Sequence, residues 1–106
     1  MRQLNSIIKM TQKLKDIYPD MTVRQFRIFL EIAYEEGQTQ FHYSRKCMES
    51  EALVSRTCKN VLEAHGLIKT GVRPDGRSKS VLIAEGGKKL LEELYEDLKE
   101  SQEPLP

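Results

Sequence analysis

The chain has 106 residues, 39% of them hydrophobic and 31% charged, which suits one globular domain and argues against a disordered chain. No apolar stretch approaches 18 residues and no hydrophobic N-terminal signal region is present, so we expect a cytoplasmic protein without a membrane span. The formal net charge of +1 hides an asymmetry. Residues 42–80 hold eight basic and four acidic side chains, whereas residues 81–106 hold three basic and seven acidic ones. A basic central segment of this kind is typical of a domain that binds a polyanion.

Two helices are predicted at the start of the chain. Residues 3–17 place apolar side chains on one helical stripe, which consists of Leu4, Ile7, Ile8, Leu14 and Ile17. A second helix should begin at a capping box, in which Thr22 and Gln25 satisfy each other's free backbone donors. Its apolar face is predicted to comprise Val23, Phe26, Phe29, Leu30 and Ala33.

A third and a fourth helix follow at short spacing. Thr39 is the predicted N-cap of the third, which runs to about Met48, and Ser50 that of the fourth, which runs to about His65. The fourth helix should turn Val54, Cys58, Val61 and Leu62 inward and Glu51, Ser55, Arg56, Lys59 and Glu63 outward. Gly66 is expected to close it.

A β-hairpin is predicted next, because the spacing of the apolar residues changes from helical to that of extended strands. Its strands are residues 67–72 and 79–84, and the Pro-Asp-Gly sequence between them favours a turn. Arg73 and Arg77 make the tip of this hairpin basic.

A last helix is predicted from Glu85 to about residue 100, with apolar side chains at helical spacing from Leu90 to Leu98. The Gly86-Gly87 pair is expected to weaken its first turn, and residues 101–106 are expected to be a disordered tail. The order of elements predicts a mostly α fold with a small β-hairpin (α+β). This is a single winged helix-turn-helix domain over residues 1–100, flanked by N- and C-terminal helices.

Three stretches resemble the multiple antibiotic resistance regulator (MarR) family of repressors. They are residues 21–26, residues 62–68, and the wing sequence Asp75-Gly76-Arg77 with the strand and acidic, Gly-containing helix start that follow. The chain departs from the family pattern at Ala84, where Thr is common, and ends one helix earlier than usual. The interval from Val54 to Gly66 is also one residue longer than is usual in the family.

The resemblance implies a sequence-specific, double-stranded DNA-binding regulator, expected to act as a repressor. The fourth helix, residues 50–65, would enter the major groove, and the wing, residues 68–84, would meet the adjacent minor groove or backbone. Asp75 would brace the wing. The expected DNA-binding residues are Arg45, Lys46, Ser50, Ser55, Arg56, Lys59, Arg73, Arg77 and Lys79.

Other functions have less support in the sequence. It contains no nucleophile motif, phosphate-binding glycine loop or paired metal ligands, so we expect no enzyme, cofactor or metal site. Cys47 and Cys58 lie at positions that look apolar and are expected to be reduced core residues. The first and last helices, residues 3–17 and 85–100, are expected to form a homodimer, and no small-molecule effector is predicted. A winged-helix protein-interaction module and a replication initiator are the alternatives.

Overall fold

The computed structural model describes residues 1–76 and 79–102. Its elements are α1 (Arg2–Ile17), α2 (Val23–Tyr34), α3 (Gln40–Cys47), α4 (Glu51–Thr57), a π-helical segment (Cys58–Glu63), β1 (Ile68–Val72), β2 (Lys79–Ile83) and α5 (Glu85–Gln102). The mostly helical winged helix architecture predicted from the sequence is confirmed. The last helix extends two residues beyond its predicted end. Residues 103–106 of the predicted tail lie outside the described residues, as do Arg77 and Ser78.

The chain divides into two compact units. One comprises residues 22–88, with α2 to β2 and the first turn of α5, and is called the hairpin unit below. The other comprises residues 1–21 and the chain from residue 89 onward, and is called the terminal unit.

The predicted helix starts are confirmed by their caps. The Thr22 Oγ1 accepts a hydrogen bond from the Gln25 backbone N at 3.1 Å, while the Gln25 Oε1 accepts one from the Thr22 backbone N at 2.9 Å. The Thr39 hydroxyl oxygen accepts in the same way from the His42 amide, and the Ser50 hydroxyl oxygen from the Leu53 amide, each three residues further along the chain. Each cap satisfies an amide that a helix start would otherwise leave without a partner.

The predicted apolar face of α2 is wrong in part. Phe29 is fully buried as expected, but Val23 is 87% exposed and Leu30 is also exposed. Ile28 and Ile32 are buried instead. Apolar side chains cover so much of the circumference of α2 that periodicity alone did not select the buried stripe.

The two strands form an antiparallel hairpin whose register pairs Ile68 with Ile83 and Val72 with Lys79. Gly76 supplies the turn at the tip, where its φ is +72° and its amide donates to the Arg73 carbonyl at 2.8 Å. Successive side chains of a strand point to opposite faces. Ile68, Val81 and Ile83 therefore share a face, and all three are buried.

The Gly86-Gly87 pair has a structural reason that the sequence did not reveal. A Cβ on Gly87 would overlap the Leu67 carbonyl oxygen, and one on Gly86 would lie 2.6 Å from the Gly66 carbonyl oxygen. The first turn of α5 therefore approaches the backbone at residues 66–67 more closely than any side chain permits. The two glycines are therefore required for this close packing, in addition to their expected effect of weakening the helix.

In the terminal unit an ion pair joins α1 to α5. The Lys13 Nζ lies 3.2 Å from the Asp97 Oδ2 and donates to the Glu93 carbonyl at 3.3 Å. Leu90 and Leu94 are buried. In contrast, four of the five apolar side chains on the predicted stripe of α1 are exposed; these are Leu4, Ile7, Ile8 and Ile17.

Candidate nucleic-acid interface

A tight turn joins α3 to α4 and sets the geometry of the helix-turn-helix. The Glu49 amide donates to the Ser44 carbonyl at 2.9 Å and the Met48 amide to the Arg45 carbonyl at 3.2 Å, which is a Schellman cap. Met48 occupies the left-handed position with a φ of 56°. The Arg24 Nε lies 3.0 Å from the Glu49 Oε1, so an ion pair also ties α2 to this turn.

The recognition helix, α4 with the π-helical segment, has the two predicted faces. Its outward residues are all exposed, as expected; they are Glu51, Ser55, Arg56, Lys59 and Glu63. Val54, Cys58 and Leu62 are buried, whereas Val61 is half-buried. Thr57, which the pattern did not assign to the inner face, is also buried.

The recognition helix changes from α-helical to π-helical geometry at Cys58. A π-helical turn contains about one residue more than an α-helical turn, because its hydrogen bonds span five residues instead of four. This segment lies within the interval from Val54 to Gly66. The helix still ends in a Schellman cap at Gly66, where the Leu67 amide donates to the Leu62 carbonyl at 2.9 Å.

An open groove of about 790 Å³ lies between the recognition helix and the hairpin. One wall contains three of the outward residues, Ser55, Lys59 and Glu63, and the other contains the hairpin residues Thr70, Lys79 and Val81. The structure thus brings together three of the predicted site residues, Ser55, Lys59 and Lys79. Glu63 places a carboxylate in the same groove.

Three polar residues of this groove were missed by the sequence analysis. Thr39 and Gln40 reach it from the start of α3, and Thr70 reaches it from β1. Strand alternation offered a signal for Thr70, because the register places it on the same face of the hairpin as Lys79. Thr39 carried only the signal of a helix cap.

Arg45 and Lys46 line a separate depression of about 480 Å³ along α3. Both side chains are exposed, and the guanidinium carbon of Arg45 lies 5.7 Å from the centre of the Phe41 ring, within the range of a cation–π contact. Thr39 lines this depression as well as the groove. The predicted site residues are therefore spread over two neighbouring concave surfaces of the hairpin unit.

The remaining predicted residues lie outside the linings of these two surfaces. Arg56 is exposed on α4, and the Ser50 Oγ accepts from the Leu53 amide at 3.1 Å as the N-cap. Arg73 is half-buried at the end of β1, whereas Asp75 is exposed at the tip. Arg77 lies outside the described residues, so its predicted minor-groove contact stays a prediction, as does the bracing of the wing by Asp75.

Both cysteines are free and buried. Burial raises the pKa of the Cys58 thiol from its ordinary value of 9.0 to about 11, with a smaller contribution from Glu63. Burial also raises the pKa of Cys47. Both thiols are therefore protonated at neutral pH, the form that reacts slowly with oxidants and electrophiles.

Residues 1–76 and 79–102 contain no cluster of three or more His, Cys, Asp or Glu arranged to hold a metal ion. Nor does any helix in this part of the chain have the length and apolar character needed to cross a membrane.

No protein-family model matches the sequence, and no curated protein matches it. Solved structures do match. MepR, a transcription regulator of the Staphylococcus aureus multidrug efflux pump MepA, is 25% identical, with a TM-score of 0.71 over 92% of this chain and 71% of that chain. The S. aureus MepR–DNA complex matches with a TM-score of 0.75 at 20% identity, over 93% of this chain and 81% of that one. A MarR-like transcriptional regulator from Thermotoga maritima is 17% identical, with a TM-score of 0.73 over 92% and 74% of the two chains.

These neighbours are transcriptional regulators and not enzymes, which agrees with the expectation from the sequence. The resemblance stated from residues 21–26, 62–68 and the wing is confirmed by these matches: the chain has a winged helix fold similar to that of solved MarR-family transcriptional regulators.

Proposed function

We propose that the chain is a sequence-specific, double-stranded DNA-binding transcriptional regulator that acts as a repressor. The observation that carries the proposal is the groove between the recognition helix and the hairpin, with Ser55 and Lys59 on one wall and Lys79 on the other. The similarity to MepR, one of whose solved structures is a complex with DNA, supports it.

In this proposal the recognition helix, residues 50–65, enters the major groove, and the wing, residues 68–84, meets the adjacent minor groove or backbone. Arg56 is the proposed base-reading residue, because it is exposed on the α-helical half of the recognition helix and arginine can bind guanine through two hydrogen bonds. Arg73 and Arg77 act at the wing, where a narrow minor groove attracts arginine.

The other residues act mainly on phosphates. Lys59 and Lys79 face the groove from opposite walls, so a phosphodiester strand between them would be neutralised from both sides. Glu63 also lines the groove, so its carboxylate would repel a phosphate placed beside it. Arg45 and Lys46 bind backbone phosphate beside α3, a type of contact that fixes position without reading sequence. The Ser50 hydroxyl accepts as the N-cap but keeps its own proton free to donate to a phosphate.

We also propose a homodimer formed by residues 3–17 and 85–100. Leu4, Ile7 and Ile8 of α1 and Tyr95 and Leu98 of α5 are exposed within the single chain. Burying such side chains against a second copy removes apolar surface from water, which stabilises association. A dimer of winged helices would bind two half-sites related by two-fold symmetry.

The proposal is tested by selecting bound sequences from a pool of random duplex DNA. We expect enrichment of a palindrome whose half-sites lie about one helical turn apart. Failure of any sequence to be enriched, together with no shift of random duplex at low salt, would favour a protein-interaction module. Enrichment of direct repeats in place of a palindrome would favour an initiator-type DNA binder.

Two variants separate base reading from backbone binding. Arg56→Ala should cost about 1–3 kcal/mol of binding free energy on the selected site and much less on random DNA. Arg77→Ala should weaken binding to all sequences alike and flatten the dependence of log affinity on log salt by about one unit per wing. Lys99→Ala, an exposed change on α5, is the matched control and should alter neither quantity. Unchanged binding in both arginine variants would exclude this face as a DNA-binding surface.

A further inference from the structure

The segment between α2 and α3, residues 35–39, is bonded to the wing and is called the connector below. The Gly37 amide donates to the Val81 carbonyl at 2.9 Å, and the Val81 amide donates to the Gln38 carbonyl at 2.9 Å. Since β2 pairs with β1 along its other edge, it is held on both sides. The connector thus holds the edge of β2 that does not pair with β1, through two backbone bonds at Val81.

A side chain of the connector adds a third bond to the same edge. The Glu36 Oε1 accepts a hydrogen bond from the Ile83 amide at 2.6 Å. Ile83 is the last residue of β2, and the next amide, that of Ala84, donates to the Leu67 carbonyl at 3.0 Å. The end of the strand is therefore fixed by alternate bonds to the connector and to the residue that precedes β1.

One buried hydroxyl holds the connector at two points. The Tyr43 Oη donates to the Glu35 carbonyl at 2.6 Å and accepts from the Gln38 amide at 3.1 Å. The Tyr43 side chain is fully buried in the hairpin unit, and burial is the main cause that raises its pKa. Phenylalanine at this position would fill the same space and would leave both backbone groups without this partner.

We propose that Tyr43 is a positioning residue for the wing: its hydroxyl fixes the connector, and the connector fixes β2. The position of the wing tip relative to the recognition helix then depends on a residue that lies in neither element. The consequence for DNA affinity rests on the proposed function, whereas the consequence for the order of the wing does not.

The first test measures amide hydrogen exchange by NMR in the free protein. Tyr43→Phe should accelerate exchange at Val81 and Ile83 roughly fivefold or more, since a lost hydrogen bond to a buried group changes a local opening equilibrium by about that factor. Ile32, in the core of α2, should change less than Val81 and Ile83. Tyr34→Phe removes a hydroxyl from a side chain that is 84% exposed, so it is the matched control and should change none of these rates. Equal acceleration at all three amides would show a global loss of stability and overturn the proposal.

A second pair of variants tests the route through the connector. Glu36→Ala should accelerate exchange at Ile83, because it removes the acceptor of that amide. Glu36→Gln keeps an oxygen at the same place and should restore slow exchange. If the glutamine variant exchanges as fast as the alanine variant, the side-chain bond does not hold the strand.

The DNA test uses double-mutant cycles. If Tyr43 acts through the wing, the losses of affinity caused by Tyr43→Phe and Arg73→Ala should overlap, so that the double variant loses at least twofold less than the product of the two single losses. The losses from Tyr43→Phe and Arg56→Ala should multiply without overlap. Independent losses with Arg73 would overturn the proposed action on the wing. If the wild-type chain binds no DNA, the proposed function fails, and the exchange measurements alone decide the role of Tyr43.

Discussion

The hairpin unit and the terminal unit differ in where they keep their apolar side chains. The hairpin unit encloses a core of fully buried residues, which includes Ile28, Phe29, Ile32, Tyr43, Val54, Leu62 and Leu67. The terminal unit has buried positions at Leu90 and Leu94 but leaves large apolar side chains of both α1 and α5 in contact with solvent. Helices and a sheet that pack from several directions can surround a side chain, whereas the terminal unit consists of parts of two helices. The hairpin unit thus buries a core of large apolar side chains within one chain, whereas the terminal unit leaves exposed the apolar surface on which the proposed homodimer rests.

The contrast is tested most strongly by removing a core side chain from the hairpin unit. Ile32→Ala should lower the free energy of unfolding by about 2–5 kcal/mol, because it deletes fully buried carbons and leaves a cavity. Ile8→Ala is the matched control on α1, where the side chain is 62% exposed. Urea unfolding at low protein concentration should show a loss of less than about 0.5 kcal/mol for the control. Similar losses in the two variants would contradict the difference between the units.

The closeness of packing in the hairpin unit is tested where the first turn of α5 meets the backbone at residues 66–67. Gly87→Ala should cost about 2–3 kcal/mol of unfolding free energy, since the added carbon collides with the backbone at Leu67 and a backbone carbonyl cannot move aside cheaply. Thermal and urea unfolding would measure the loss. Lys88→Ala, one position along on an exposed side chain, should change stability by less than about 0.5 kcal/mol. A Gly87→Ala variant as stable as the wild type would show that this approach is looser than described.

The exposed surface of the terminal unit is tested through self-association. Ile8→Asp should weaken the proposed homodimer at least about tenfold, because the burial of one isoleucine contributes about 1.5–3 kcal/mol. Sedimentation equilibrium should find about twice the chain mass of 12.3 kDa for the wild type and a lower average for the variant. Gln3→Asp introduces the same charge on another side of α1 and should have a smaller effect. A wild-type chain that stays at 12.3 kDa at micromolar concentration would contradict the dimer.

The burial of Cys58 in the hairpin unit predicts that the free energy of unfolding falls at alkaline pH. The pKa of Cys58 is about 11 in the folded chain and 9.0 when unperturbed, so the unfolded chain releases this proton at a lower pH than the folded chain. The contribution is fully present below about pH 9 and is lost as the pH rises towards 11. Under reducing conditions, urea unfolding from pH 8 upward should show a smaller decline for Cys58→Ala than for the wild type. The variant should also be less stable at neutral pH by roughly 1 kcal/mol. Parallel declines would contradict the predicted burial of the thiol.

Local sequence signals predicted the ends of the elements better than their buried faces. The caps at Thr22, Thr39, Ser50 and Gly66 depend on side chains and backbone within a few residues, and all four are confirmed. The buried face of α2 depends on what packs against it, which the sequence of one helix does not contain.

In the candidate site, too, the features that depend on local sequence were predicted and those that depend on distant residues were not. The outward face of the recognition helix followed from its period, which placed Ser55, Arg56 and Lys59 correctly on the exposed side. The approach of Thr39 and Gln40 to Lys79 joins residues about 40 positions apart, and no local pattern encodes it. The bonds from the connector to β2 are likewise long-range and were not predicted.

The π-helical segment matters for anyone who exchanges recognition helices between this protein and a relative. For a relative whose helix is regular and one residue shorter, an alignment counted from Ser50 holds only up to the π-helical segment, and one counted from Gly66 holds only after it. A chimera that takes only residues 51–57 keeps the surrounding fold and transfers the α-helical half with Ser55 and Arg56. A chimera that replaces the whole helix with a regular α-helix one residue shorter would rotate the residues on one side of the deletion by about 100° about the helix axis, the angle of one helical residue. Lys59 would then change its direction relative to the rest of the fold. The segment thus marks the point beyond which positions of a relative with a regular helix of another length cannot be carried over by counting.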